Sequence, residues 1–171
     1  MPENSLILRD AEDTDVLVLA AIRSSEALHQ GRLRDARNLD LRYLVILLDR
    51  TIIGFVSLVF RRPVSWANAS DTTHLPQIVD LYIAETWRGQ GYGTQTIHQL
   101  EDLAAQSGYA QLYLSVDPFV NARAYTLYQR LGYKRIQQEP YFHHWQAMNA
   151  DGTMEQGKSW LVDMVKVLQG E

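Results

Sequence analysis

The sequence contains no cysteine. That absence removes disulfides, thiolate metal sites and a cysteine nucleophile at once. Long apolar runs are missing too: the longest, such as "LVILL", falls far short of the roughly 20 residues a membrane-spanning helix needs. There is no basic surplus. Sixteen Lys and Arg stand against 20 Asp and Glu, a net charge of −4, so no global field draws the chain to nucleic acid or anionic lipid. The opening "MPENSLILRD" has no basic segment followed by an apolar core, so no secretory signal is expected and the cytoplasm is the expected location. Internal repeats and low-complexity tracts are absent as well.

What is present fits one globular unit. The 171 residues are expected to form a single domain over 1–171, and a hydrophobic share of 46% suffices for a sizeable core. "SLILRD" reads as a first strand, and "AEDTDVLVLAAIRSSEALH" as a helix that Asp13 or Thr14 would cap. The polar "QGRLRDARNLD" reads as a solvated connection between helices. "RYLVILLD" and "TIIGFVSLVF", separated by Asp49 and Arg50, read as a hairpin of buried strands. A long turn-rich loop with Trp66 at its centre follows, then the strand "QIVDLYIA". After it, Ile97, Leu100, Leu103 and Ala104 recur at helical spacing up to a stop at Gly108. "QLYLSV" alternates as a strand, and "NARAYTLYQRLG" is a helix from Asn121 to Gly132. "YKRIQQ" resumes strand character, residues 138–157 read as a polar loop, and "SWLVDMVKVL" as a last strand. Strands alternating with helices predict an α/β fold with a mixed sheet covered by helices.

The stretch "ETWRGQGYGTQ" places Gly89, Gly91 and Gly93 within five positions where a strand hands over to a helix. The first N–H groups of a helix have no intrahelical partner, and the helix dipole adds positive charge there. Bare glycine backbone lets a phosphate or pyrophosphate reach those groups, with Arg88 at the entrance and Thr94 offering a hydroxyl. A nucleotide-binding switch of the Walker type would need a lysine that "GYGTQT" lacks, and a dinucleotide fingerprint needs G-x-G-x-x-G rather than G-x-G-x-G. A merely tight turn remains the alternative for the glycines taken alone.

A second motif bears on that choice. "RGQGYG", Arg88 to Gly93, resembles the R-x-x-G-x-G signature of the GNAT superfamily of N-acetyltransferases, and "NARAYTLYQRLGYKR" resembles that family's second conserved region. The likeness is close over residues 77–136, except that Glu85 stands where a proline is often found. It implies a GNAT fold: a mixed, mostly antiparallel central sheet of about seven strands, flanked by helices, with a splayed central strand pair. It implies an acetyl-CoA-dependent acyltransferase that moves the acetyl group directly to a primary amine of a small molecule or peptide. No metal, nucleic acid or membrane enters that reading, and a homodimer is left open. The alternative is a GNAT-like domain that binds acyl-CoA and only senses it.

By the same resemblance, Leu81, Tyr82 and Ile83 would lie along the pantetheine arm. Arg88, Gly89, Gln90, Gly91, Tyr92, Gly93 and Thr94 would hold the pyrophosphate, and Asn121 would grip the pantetheine. Tyr128 matches the tyrosine that protonates the leaving thiolate, a role suited to a phenol whose pKa of ~10 exceeds that of a thiol. Asn121 and Tyr128, seven residues apart, share a helix face about 10 Å apart. Tyr128 equally fits a core aromatic. Asp80 is the candidate general base, with Glu85 a weaker one; Asp80 also fits an acceptor-binding or structural acid. The acceptor groove is expected between segments 24–42, 61–75 and 138–157. There Arg32, Arg34 and Arg37 would meet a wall of Trp66, Tyr141, Phe142, His143, His144 and Trp145. Adjacent histidines point apart on an extended chain, so a joint metal site at His143 and His144 is not expected.

Overall fold

The computed structural model describes residues 5–23, 25–61, 72–149 and 151–168. Its frame is an antiparallel meander. Strand β2 (Leu41–Leu48) turns through Asp49 and Arg50, at φ 47° and 77°, into β3 (Thr51–Val59). Two consecutive left-handed residues make the primed turn whose twist suits a two-residue hairpin. Strand β1 (Leu6–Asp10) pairs antiparallel with β2, and β4 (Gln77–Ile83) antiparallel with β3.

The continuation is different. Strand β5 (Gln111–Val116) lies parallel to β4 but pairs with it only at Gln77–Tyr113 and Ile78–Leu114. Past those two positions the strands diverge into a fork. Strand β8 (Met154–Val167) runs antiparallel to β5 through its second half and carries the two-residue β6 (Lys134–Arg135) on its other edge. Its first half pairs with β7 (Tyr141–Met148). Among the described residues the sheet has eight strands and is mostly antiparallel, as the GNAT fold expects. Residues 138–157 form most of a hairpin, not a loop. Tyr141, His143 and Trp145 alternate with Phe142, His144 and Gln146 along β7, a period of two that its polar side chains conceal in the sequence.

Helices cover both faces. Helices α1 (Val16–Ile22) and α2 (Glu26–Asn38) pack on Leu19, Leu33, Tyr43, Val45 and Phe55. Helices α3 (Tyr92–Gln106) and α4 (Ala122–Arg130) pack over a core of Leu44, Ile46, Leu58, Ile97, Leu100, Leu112, Leu114 and Met164. The expected first helix is thus two: Ser25 breaks it and caps α2, its hydroxyl accepting from Leu28 N at 3.1 Å. Neither Asp13 nor Thr14 caps α1; they sit in a 3-10 turn ahead of it. The arginine-rich segment is the body of α2, because Leu33 and His29 bury one stripe while the charged residues mostly face solvent. His29 is fully buried. Its Nε2–H donates to Arg23 O at 3.0 Å and its Nδ1 accepts from the Tyr43 hydroxyl at 2.7 Å. Burial lowers its pKa and keeps the ring neutral. Among the described residues no helix is long and apolar enough to cross a membrane.

Candidate active site

The fork is prepared by a bulge. Phe55 pairs with Tyr82 and Ser57 with Val79, so Asp80 and Leu81 together oppose Val56. Asp80 takes φ 51°, a left-handed conformation at which an Asp is tolerated better than a branched residue. An extra residue bends and twists its strand, which carries β4 away from β5. Gly54, opposite Ile83, lets β3 stay close across the bend: any Cβ there would collide with the Tyr82 carbonyl. Leu81 and Ile83 then face the α3/α4 side, and Val79 and Tyr82 the α1/α2 side.

Beyond Ile83 the chain makes a 3-10 turn over 85–87 and reaches the glycines. The three glycines have different reasons. Gly89 (φ 76°) and Gly91 (φ 86°) are left-handed, so the backbone itself asks for glycine. Gly91 is also the N-cap of α3 and offers no side chain to the helix's first N–H groups. Gly93 is already helical, where glycine costs up to ~1 kcal/mol relative to alanine. A Cβ there would meet nothing nearer than Leu127 Cδ2 at 3.9 Å. The fold gives no reason for its bareness.

Helix α4 closes the opposite wall. Asp117 accepts from Phe119 N and Val120 N, both at 2.9 Å, and so shapes the turn that presents Asn121 at the helix start. Asn121 and Tyr128 both line a cleft of about 560 Å³ running between β4, the glycine turn and α4. The Tyr128 ring packs edge-on against Tyr133 at 5.9 Å, and burial pushes its pKa up to about 12. Its hydroxyl has no hydrogen-bond partner among the described residues.

The cleft brings together Leu81, Tyr82, Ile83, Arg88, Gly89, Gly91, Gly93, Thr94, Asn121 and Tyr128. Gln90 and Tyr92 do not line it. Gln90 Nε2 donates to Thr86 O at 3.3 Å across the turn, and Tyr92 packs against Trp87. Asp80 does not line it either: it faces α2 and forms an ion pair with Arg32. Reading the sequence missed Trp87, Val120, Arg123, Ala124, Leu127 and Arg130. Ala124 and Leu127 were within reach, since they share the face of Asn121 and Tyr128 at helical spacing. Arg88, Arg123 and Arg130 line the wall with no Asp or Glu, so an overall acidic chain carries a cationic cleft.

The other side of the fork is built from side chains. Tyr82 stacks on Phe55 at 5.4 Å, with the guanidiniums of Arg23 and Arg88 at 5.3 and 4.9 Å from its ring centre. Arg88 Nε donates to Ile83 O at 2.8 Å. The expected aromatic wall divides between two faces of the hairpin. Phe142 packs on Trp160 at 4.4 Å and on His144 on one face, while Trp145 Nε1 donates to Ser159 Oγ at 3.1 Å on the other. Trp66 lies outside the described residues. Of the three arginines, Arg32 reaches the bulge, Arg37 pairs with Asp13 at 2.6 Å and Arg34 is exposed. Glu85 is exposed at the head of the 3-10 turn. No metal-binding group of His, Asp and Glu occurs among the described residues.

The fold is similar to that of several solved structures. An aminoglycoside acetyltransferase AAC(6')-Ib, solved with coenzyme A and kanamycin, superposes with a TM-score of 0.71 at 18% identity, covering 95% of both chains. A ribosomal-protein-alanine N-acetyltransferase from Brucella melitensis does so at 0.66 and 18% identity, over 95% of this chain and 99% of that one. Mutant forms of the spermidine/spermine N-acetyltransferase SpeG from Vibrio cholerae give 0.67 and 16%, over 96% and 95%. At such identities the likeness shows the fold alone. The acetyltransferase (GNAT) family matches over residues 9–133, and the chain belongs to that family. No curated protein matches it by sequence.

Proposed function

We propose that the protein transfers an acetyl group from acetyl-CoA directly to a primary amine. The observation that carries the reading is Gly93: a glycine kept inside a helix, beside open cleft, against its own helix propensity. A ligand that must touch backbone explains it. The cationic wall and the α3 N-terminus suit a pyrophosphate, and the apolar flank of Leu81, Ala124 and Leu127 suits a pantetheine arm. Acetyl-CoA supplies an activated thioester carbonyl when bound.

The residues then divide the remaining chemistry. The β5-side edge of β4 over 81–83, which has no strand partner past the fork and whose Ile83 carbonyl accepts from Arg88, binds and orients the arm. Asn121 holds it two helical turns from Tyr128 on the same helix face. As the amine nitrogen bonds to the carbonyl carbon and the C–S bond breaks, the Tyr128 hydroxyl gives its proton to the sulfur. Its raised pKa keeps that proton in place at neutral pH. The nitrogen sheds one proton on the opposite side of the fork, toward Asp80 when Arg32 yields it, or to water. Calorimetry tests the cofactor assignment. Coenzyme A is expected to bind the wild-type protein and to lose affinity for Gly93→Val, whereas preferential binding of ATP or NADH would overturn it.

A further inference from the structure

The most unusual group outside the cleft is Asp163. It lies in the middle of β8, fully buried, and forms no salt bridge among the described residues. A buried carboxylate without a cation survives only if hydrogen bonds replace its water. Here they do. Oδ1 accepts from Tyr141 Oη at 2.6 Å, Ser115 Oγ at 2.7 Å and Tyr113 Oη at 3.0 Å, and Oδ2 accepts from Gln137 Nε2 at 2.8 Å. Tyr141 is held protonated, its pKa raised by burial and by the Asp163 carboxylate to which it donates.

Its position matters more than its rarity. The last β4–β5 pair is Ile78–Leu114, so Ser115 is the first β5 residue past the crotch of the fork, and Asp163 is its direct partner on β8. Leu112, Leu114 and Val116 face α3 and α4, which turns Tyr113 and Ser115 to the opposite face. With the cofactor cleft on the α3/α4 side, an amine must approach the fork from this opposite side. Ser115 and Tyr141 are half-buried, so the network has outlets while its charge stays inside. Tyr141 spends its only proton on Asp163, and its oxygen meets an incoming group as an acceptor alone.

From this geometry we infer that the Asp163–Tyr141–Ser115 network is a subsite for the ammonium group of the acceptor, recognising N–H donors through hydroxyl oxygens backed by a buried negative charge. The inference rests on the acetyltransferase reading for the direction of approach, yet its test needs no turnover. Ethylammonium chloride is titrated against the protein saturated with coenzyme A, at constant ionic strength, with the thermal midpoint as readout. Tetraethylammonium, a cation without N–H, is the control. Ethylammonium is expected to raise the midpoint of the wild-type protein above the control. Asp163→Asn should abolish that response, and Tyr141→Phe, which removes one half-buried hydroxyl, should weaken it about tenfold in apparent affinity. Calorimetry should show unchanged coenzyme A affinity in both. Equal responses to the two cations in the wild type overturn the subsite. So does a Tyr141→Phe protein that responds as the wild type does, which keeps the test decisive if Asp163→Asn fails to fold. Failure to bind coenzyme A would instead count against the acetyltransferase reading.

Discussion

The two faces of the fork solve recognition in opposite ways. On the α3/α4 face, the cleft is made of glycine backbone, apolar side chains and three arginines contributed by two short segments, 81–94 and 120–130. On the α1/α2 face, polar side chains meet from five elements: Arg32 with Asp80, and Tyr113, Ser115 and Tyr141 with Asp163. Backbone amides and a helix terminus read any pyrophosphate in the same way, so that face tolerates little variation in geometry and much in side chains. Side chains gathered over long sequence separations are free to differ from one chain to the next. On the proposed reading, the α3/α4 face takes the cofactor through contiguous motifs, and the α1/α2 face is where this chain's acceptor specificity would lie.

The sharpest way to break that division is Tyr128→Phe. It keeps the ring and its packing on Tyr133, and steady-state kinetics should show kcat reduced by about 10²–10⁴-fold with coenzyme A affinity unchanged. Wild-type turnover would return Tyr128 to a packing role. The raised pKa adds a pH signature. Tyr128 stays protonated until far above neutrality, so kcat/KM for the amine should rise as the substrate ammonium deprotonates and should not fall again below about pH 10.

Gly93→Val comes next. The site is open and helical, so circular dichroism should show a normally folded protein while coenzyme A affinity drops by about tenfold or more. Gly91→Ala is the contrasting control. Its left-handed backbone makes any side chain cost about 1–2 kcal/mol in folding, so binding and stability fall together. If Gly93→Val binds normally, the backbone-reading half of the comparison fails.

Asp80→Asn probes the other face. It should lower kcat/KM for the amine by about tenfold through loss of the charge, and leave coenzyme A binding intact. An equal loss on the cofactor side would show that the two faces are not separable. The smallest expected effect is on stability alone. His29 has a depressed pKa from burial, so the native state holds it neutral while the unfolded state takes up a proton below its ordinary pKa. The contribution is complete above about pH 6.5 and declines as pH falls. Urea titrations of wild type and His29→Gln should converge in pH slope over that range only if this assignment is wrong.

The same division explains what the sequence disclosed. The glycine turn, Asn121 and Tyr128 sit in contiguous motifs whose spacing alone puts them on one turn and one helix face. Residues Arg32 and Asp80 are 48 apart in the chain, as are Ser115 and Asp163, so no local pattern links them. The bulge that turns Asp80 toward α2 shifts register by one residue, and a period count along "QIVDLYIA" passes over it. The β7–β8 hairpin escaped for a related reason. Its alternating residues are His, Gln, Lys and Ser as often as aromatics, so the strand period lacks the apolar contrast that normally reveals it.

The central claim is direct transfer from a thioester to an amine. The measurement that meets it most squarely follows free coenzyme A and acetylated product together, by thiol titration and mass spectrometry, over a panel of polyamines, aminoglycosides and peptides with free N-termini. At least one primary amine is expected to accelerate coenzyme A release, with one acetylated amine formed per thiol and no acetyl group left on the protein. A protein that binds acetyl-CoA tightly and returns it intact, whatever amine is offered, would contradict the claim and leave a domain that senses acyl-CoA without using it.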